Sequence, residues 1–252
     1  METITSRNNA KIKYACSLKK AARESAFVLA EGIRLCEDAV QNGVEIDTCF
    51  LTEALAEDAR GAAIAAAAAH SYLIDTSVSQ KLADTKHPQG IFCICKKPTL
   101  DTAIQTKGKY LFLENIRDPG NFGTMLRTAE AFGLSGIMAY GCCDVFSPKV
   151  MRASMGAVFR FPVIEVADET AFLAQMQADG MHLYCSVVDP TAADVSVLAG
   201  KEGIITAVGN EANGLSETVT AGGTRITIHM SGRAESFNAS QAATVMMYEM
   251  AK

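Results

Sequence analysis

Apolar and polar positions along the chain fall into two patterns. Up to residue 97 the apolar clusters are short. Segments 26–30, 45–51 and 91–95 (IFCIC) read as strands, 31–42 as a helix, and 54–70 as an alanine-rich helix. The stretch KKPTLDTAIQTKGK is polar and contains Pro98 and Gly108, which predicts a linker over 98–108 between a domain at 1–97 and another at 109–252. From Lys109 onward the apolar runs KYLFLE, GIMAY, PVIEV, HLYCSVV, GIITAV and RITIHM alternate with helical spacing. The helices begin near Phe122, lie within SPKVMRASMGAVFR, and span Glu169–Ala178 and Ala239–Ala251. Strands alternating with helices predict an α/β class: a mostly parallel sheet flanked by helices, preceded by a smaller α/β domain.

In such a sheet, ligands bind beyond the carboxyl ends of the strands, and this singles out three loops. After KYLFLE comes NIRDPGNFG. Pro119 presets φ and Gly120 accepts a positive φ, so a type II turn is expected over 118–121, with Asn121 as helix cap. Phe122, Met125, Leu126, Ala129 and Phe132 form the buried stripe of the helix that follows, and Arg127 lies off its centre. Arg127 either pairs with Glu130 on a wet surface or points along the same crevice as Asn121. After GIITAV, the segment VGNEANGLSE sets Gly209 where backbone can approach a ligand and Glu211 at the mouth of the strand. After RITIHM, a loop of small and polar residues at 231–237 is held between a strand and a well-anchored helix, for which Asn238 and Gln241 form a capping-box variant.

Composition removes several classes. The longest apolar run, residues 62–69, is mostly alanine and far short of the ~18 residues that cross a bilayer, so no membrane partner is expected. The polar start METITSRNNAKIKYAC lacks the apolar core of a signal peptide, so a cytoplasmic location is expected. The eight cysteines include no C-x-x-C, and His70, His87, His182 and His229 show no ligand spacing. They read as reduced thiols and scattered imidazoles, and no metal is assigned. The glycines after KYLFLE fall as G-x-x-G at 120 and 123, which disfavours a P-loop or a dinucleotide fingerprint. Net charge is −5, yet Arg7, Lys11, Lys13, Lys19, Lys20 and Arg23 face only Glu2 within residues 1–23. That run is either a solvated helix face or the footprint of an RNA contact.

Together, NIRDPGNFGTMLRTAEAFG, VGNEANGLS and IHMSGRAESFNAS resemble the three motifs of the SpoU family of the SPOUT class, RNA ribose 2′-O-methyltransferases that use S-adenosylmethionine. SMGAVFRFPV between them is also similar to the family pattern. The N-terminal ITSRNNAKIKYACSLKK, leading to FVLAEGIRLCEDAV, resembles the ribosomal-protein-like RNA-binding domain often fused in front. The resemblance implies a C-terminal trefoil knot, a homodimer, and a preference for ribosomal over transfer RNA. It implies Arg127 as the catalytic arginine with Asn121, Glu211, Ser236 and Asn238 around it, and Gly209, Ile228, Met230 and Phe237 against the methyl donor. Arg7, Lys11, Lys13, Lys19 and Lys20 would contact RNA. A noncatalytic RNA-binding or assembly factor on the same fold is the alternative. The third motif departs from the family at His229, Phe237 and Ala239, where proline, leucine and valine are usual. These changes alter packing around the donor pocket and leave its polar groups in place.

Overall fold

The computed structural model describes residues 1–20 and 23–252. The chain divides into two compact units, Met1–Thr99 with Asp144–Arg160, and Leu100–Cys143 with Phe161–Lys252.

The first unit is a five-stranded sheet of β1 (Glu2–Ile4), β2 (Phe27–Glu31), β3 (Ile46–Leu51), β4 (Ala68–Ile74) and β5 (Ile91–Lys96), in the order β1-β4-β3-β5-β2. Its helices are α1 (Ala10–Leu18), α2 (Ile33–Gln41), α3 (Glu53–Glu57), α4 (Ala59–Ala67) and α5 (Thr76–Leu82). The single helix expected over 54–70 is not formed. Asp58 takes an extended conformation and its carboxylate accepts from the N–H groups of Arg60 and Gly61, so it ends α3 and caps α4. Beyond Ala67 the chain becomes β4, paired in parallel with β1 and β3, and sheet pairing overrides the helix preference of alanine there. Ile12, Ala15 and Leu18 of α1 pack with Phe50, Phe92 and Ile94 in the core.

The second unit is a seven-stranded sheet in the order β10-β12-β9-β11-β6-β7-β8, and every pairing in it is parallel. Its strands are β6 (Lys109–Glu114), β7 (Gly136–Tyr140), β8 (Val163–Val166), β9 (His182–Ser186), β10 (Ala193–Asp194), β11 (Ile204–Val208) and β12 (Thr224–Thr227). Its helices are α6 (Pro119–Ala131), α8 (Glu169–Ala178), α9 (Glu217–Ala221) and α10 (Ala239–Ala251). Tyr110, Leu111, Phe112 and Leu113 of β6 are all buried, which explains why the central strands read as continuous apolar runs rather than alternating ones. The mostly parallel α/β sheet flanked by helices, with a smaller α/β unit before it, is the architecture expected above. Two-residue β10 and the 3₁₀ turn at Val195–Leu198 are too short to leave a periodic signature.

Between β7 and β8 the chain leaves this unit. Segment Asp144–Arg160, which contains α7 (Pro148–Ala153), packs with the first unit, although its sequence lies inside the 109–252 span. Arg152 of α7 is ion-paired with Asp84 and lies 3.7 Å from Glu31, and Lys97 sits over the Phe146 ring. α7 ends early because Met155 and Gly156 both take positive φ.

All eight cysteines are unbridged, and Cys36, Cys49, Cys93, Cys95, Cys142 and Cys185 are buried. Hydrogen bonds from Cys36 and Cys49 and then burial hold the Cys93 thiol well above its ordinary value, while burial pushes Cys142 up to about 12 and Cys185 up to about 11. Only thiolate reacts, so iodoacetamide at about pH 8 is expected to label half-buried Cys16 in the native protein and to reach Cys93, Cys142 and Cys185 only after denaturation. Peptide mass mapping checks the order, and early labelling of Cys142 would contradict the burial described.

Candidate active site

The carboxyl ends of β6, β9, β11 and β12 lie side by side, and the loops leaving them build one site. At the first, the expected turn differs from the observed one. α6 begins at Pro119, and the cap is Asp118, whose carboxylate accepts the N–H of Asn121 at 2.8 Å; Gly120 lies within the helix. Proline suits that first helical position because it has no N–H to leave unpaired. Asn121 therefore is not the cap, and its side chain is available for other partners.

Those partners come from the other two loops. The Asn121 amide nitrogen donates to the Glu211 carboxylate, and the Asn121 carbonyl accepts from the Asn238 amide nitrogen at 3.2 Å. Asn238 in turn caps α10, its carbonyl accepting from the Ser240 N–H at 2.9 Å and the Ser240 hydroxyl at 2.7 Å. The Gln241 N–H also points to Asn238, at 3.4 Å. Three residues picked from separate motifs thus form one hydrogen-bonded chain.

Beside it is a cavity of about 470 Å³. Gly209, Ile228, Met230 and Phe237, the residues expected against the methyl donor, line it, and so do Glu211 and Ser236, which were expected around Arg127. Arg127 is exposed on α6 and is neither a cavity residue nor a member of the amide chain. The loop after β9 was missed: Ser186, Val187 and Val188 also line the cavity. The same rule that picked the other three loops, a strand end in a parallel sheet, applies to HLYCSVV and would have found it. Met246 and Ala242 of α10 complete the apolar wall.

The loop after β11 is folded back on itself. Asn210 pairs with Gly214, the Asn210 carbonyl side chain accepts from the N–H groups of Ala212 and Asn213, and Gly214 has φ of +65°. At the neck, a Cβ on Gly209 would lie 2.1 Å from the Gly214 carbonyl. Only glycine fits there. The volume lies within the range of roughly 300–1,000 Å³ typical of small-molecule sites, and its walls mix apolar and polar groups.

In the first unit, Arg7, Lys11, Lys13 and Lys20 are exposed. Lys11 lies over the Tyr72 ring. Lys19 is half-buried, and its ammonium donates to the carbonyls of Leu82 and Ala83, each at 3.0 Å, at the end of α5. Its charge is used inside the unit.

Gly209→Ala is expected to overpack the neck of the loop, at a cost of about 1–3 kcal/mol, and to lower the urea midpoint accordingly. An unchanged midpoint would mean that the loop gives way freely.

Compared with known families, residues 108–248 match the SpoU rRNA Methylase family, and residues 9–93 match the MRM3-like substrate binding domain. The 23S rRNA (guanosine(2553)-2′-O)-methyltransferase RlmP of Bacillus subtilis is 27% identical, covering 99% of each chain. An uncharacterized tRNA/rRNA methyltransferase of Synechocystis is 31% identical, covering 98% of this chain and 92% of its own. The crystal structure of an AdoMet-bound rRNA methyltransferase from Sinorhizobium meliloti superposes with a TM-score of 0.84 at 28% identity, covering 99% of this chain and 97% of that one.

Proposed function

The chain belongs to the SpoU rRNA methylase family, and from that premise we propose that it transfers a methyl group from S-adenosylmethionine to a ribose 2′-hydroxyl of ribosomal RNA. The observation that carries this reading is that motif loops far apart in sequence close one cavity and join Asn121, Glu211 and Asn238 at its edge. The names of the relatives and the AdoMet-bound neighbour support the donor and the RNA class.

When bound, S-adenosylmethionine supplies a methyl group on a positively charged sulfur. Gly209, Ile228, Met230 and Phe237 are the residues that would hold it, by backbone approach and apolar contact. Asn121 and Glu211 belong to a preorganised polar edge, so they need little rearrangement when substrate arrives. Arg127 carries the role nearest the chemistry. A guanidinium keeps its proton at neutral pH and does not serve as a base, so Arg127 anchors an RNA phosphate and stabilises negative charge developing on the 2′-oxygen. The hydroxyl proton leaves to solvent or phosphate.

RNA capture falls to the first unit. Basic residues outnumber acidic ones there and are outnumbered in the second unit, although the whole chain is acidic. Arg7, Lys11, Lys13 and Lys20 are exposed cations of its N-terminal segment, as is Arg23. A homodimer and a trefoil knot in the second unit complete the reading. Light scattering tests the first, and a crystal structure the second.

Mapping ribose methylation in cells with and without the protein is expected to reveal one missing mark in ribosomal RNA. A mark lost from transfer RNA instead would transfer the reading to that substrate. No lost mark, together with no S-adenosylmethionine binding by calorimetry, would overturn it in favour of a noncatalytic factor. Arg127→Ala is expected to lower kcat by about 10² or more while donor affinity stays within about threefold, the signature of an interaction made only in the transition state. Arg127→Lys keeps charge without the planar fork and should retain part of the rate. Equal loss of donor binding and turnover in Arg127→Ala would reassign the residue to the donor pocket.

A further inference from the structure

Glu114 ends β6, is 3% exposed, and belongs to neither the cavity lining nor the amide chain. Burying a carboxylate is unfavourable unless strong donors satisfy it. Its Oε2 accepts the backbone N–H of Ser216 at 2.8 Å, across 102 residues of sequence. The Ser216 hydroxyl donates to Glu169 at 2.8 Å, and the N–H of Val219 donates to that hydroxyl at 3.3 Å, capping α9. Ser216 follows Gly214 and Leu215, which wall the cavity.

Register places Glu114 at this point. Val208 of β11 pairs with Leu113 of β6, so Glu114, still paired with Tyr140 of β7, is the residue level with Gly209 where β11 ends. The loop 209–215 is thus fixed at two places: at its neck, where Gly209 meets Gly214, and at its exit, where Glu114 holds Ser216. Between these fixed points the loop carries Glu211, the residue that accepts from Asn121. Glu169 lies on the far side of Ser216, and burial, with Glu114 and Asp168 adding, holds its carboxyl above the ordinary value.

We propose that Glu114 is a positioning residue for methyl transfer: by accepting the Ser216 N–H it sets the wall of the donor cavity and the place of Glu211, without touching either ligand. This rests on the methyl-transfer reading. What the geometry requires is an acceptor at that oxygen, not a charge as such. Glutamine, whose side-chain carbonyl reaches as far, supplies one; alanine supplies none.

The test measures S-adenosylmethionine affinity by calorimetry, kcat and KM for both substrates, and far-UV circular dichroism on the full chain. Glu114→Ala is expected to weaken donor affinity and raise donor KM by about tenfold or more, with the KM for RNA unchanged, because displacing a site by about 1 Å has costs of that order or larger. Glu114→Gln should recover the donor affinity to within about threefold. If Glu114→Ala is recovered unfolded, Glu114→Asp replaces it: one methylene shorter, it keeps the charge but withdraws from Ser216, and the same loss is expected. Wild-type donor affinity in Glu114→Ala or Glu114→Asp overturns the proposal, and so does a Glu114→Gln variant as impaired as the alanine. A wild-type protein that binds no S-adenosylmethionine at all would instead overturn the reading on which the proposal rests.

Discussion

The parallel pairing of β11 with β6 is the constraint on which the site depends. Five residues of each strand are in register, Ile204 with Lys109 through Val208 with Leu113. Parallel strands emerge at the same edge, so the loops that follow them must start as neighbours. That is why Asn121 and Glu211, 90 residues apart, are within hydrogen-bond reach. An antiparallel pairing of the same two strands would send these loops to opposite edges, and a shift of one residue would turn the inward side chains outward. The register of these two strands is therefore part of the chemistry, because it fixes where the loops begin.

The polar edge is then determined by donor and acceptor inventory. Glu211 as a carboxylate only accepts, so Asn121 must present its amide nitrogen to it. This turns the Asn121 carbonyl toward Asn238, which must answer with its own nitrogen, leaving the Asn238 carbonyl for the N–H groups that begin α10. Each amide has one orientation that satisfies both neighbours. The chain ends at a helix N-terminus, whose partial positive charge favours the oxygen pointed at it. One substitution in this chain would reverse a preference at every later link, so the site's rigidity is shared by three segments instead of residing in any one.

Much of this was legible in the sequence, for identifiable reasons. Helices Glu169–Ala178 and Ala239–Ala251 were read to the residue because spacing and caps agree there. Asn121 was misread as a cap because Asp118 and Asn121 are both good capping residues on either side of a proline. Only the tertiary partners, Glu211 and Asn238, show which of them is needed elsewhere. The helix over 54–70 failed at Asp58 because alanine carries a helix preference but no packing instruction, and β4 forms where neighbouring strands offer a sheet edge. The excursion of 144–160 into the first unit rests on Arg152 meeting Glu31 and Asp84, pairings that no local pattern encodes. Glu114 was hidden for the opposite reason, since a charged residue closing an apolar strand reads as the point where the strand reaches water.

The two sides of the site are finished to different degrees, and this bears on how it would work. The cavity and the amide chain lie within the second unit, and the polar groups of the amide chain are already paired. At the other side, Arg127 is exposed on α6, outside the cavity. A small ligand gains most from a preformed pocket, because there is little ordering left to offset its binding energy. A large polyanion is different: its phosphates recognise a charge that can move to meet them, and the desolvation of that charge is best deferred until they arrive. Under the proposed reading, then, the donor side is rigid and the RNA side is open. Keeping Arg127 in water until the phosphate reaches it spares the free protein the cost of a buried, unpaired guanidinium.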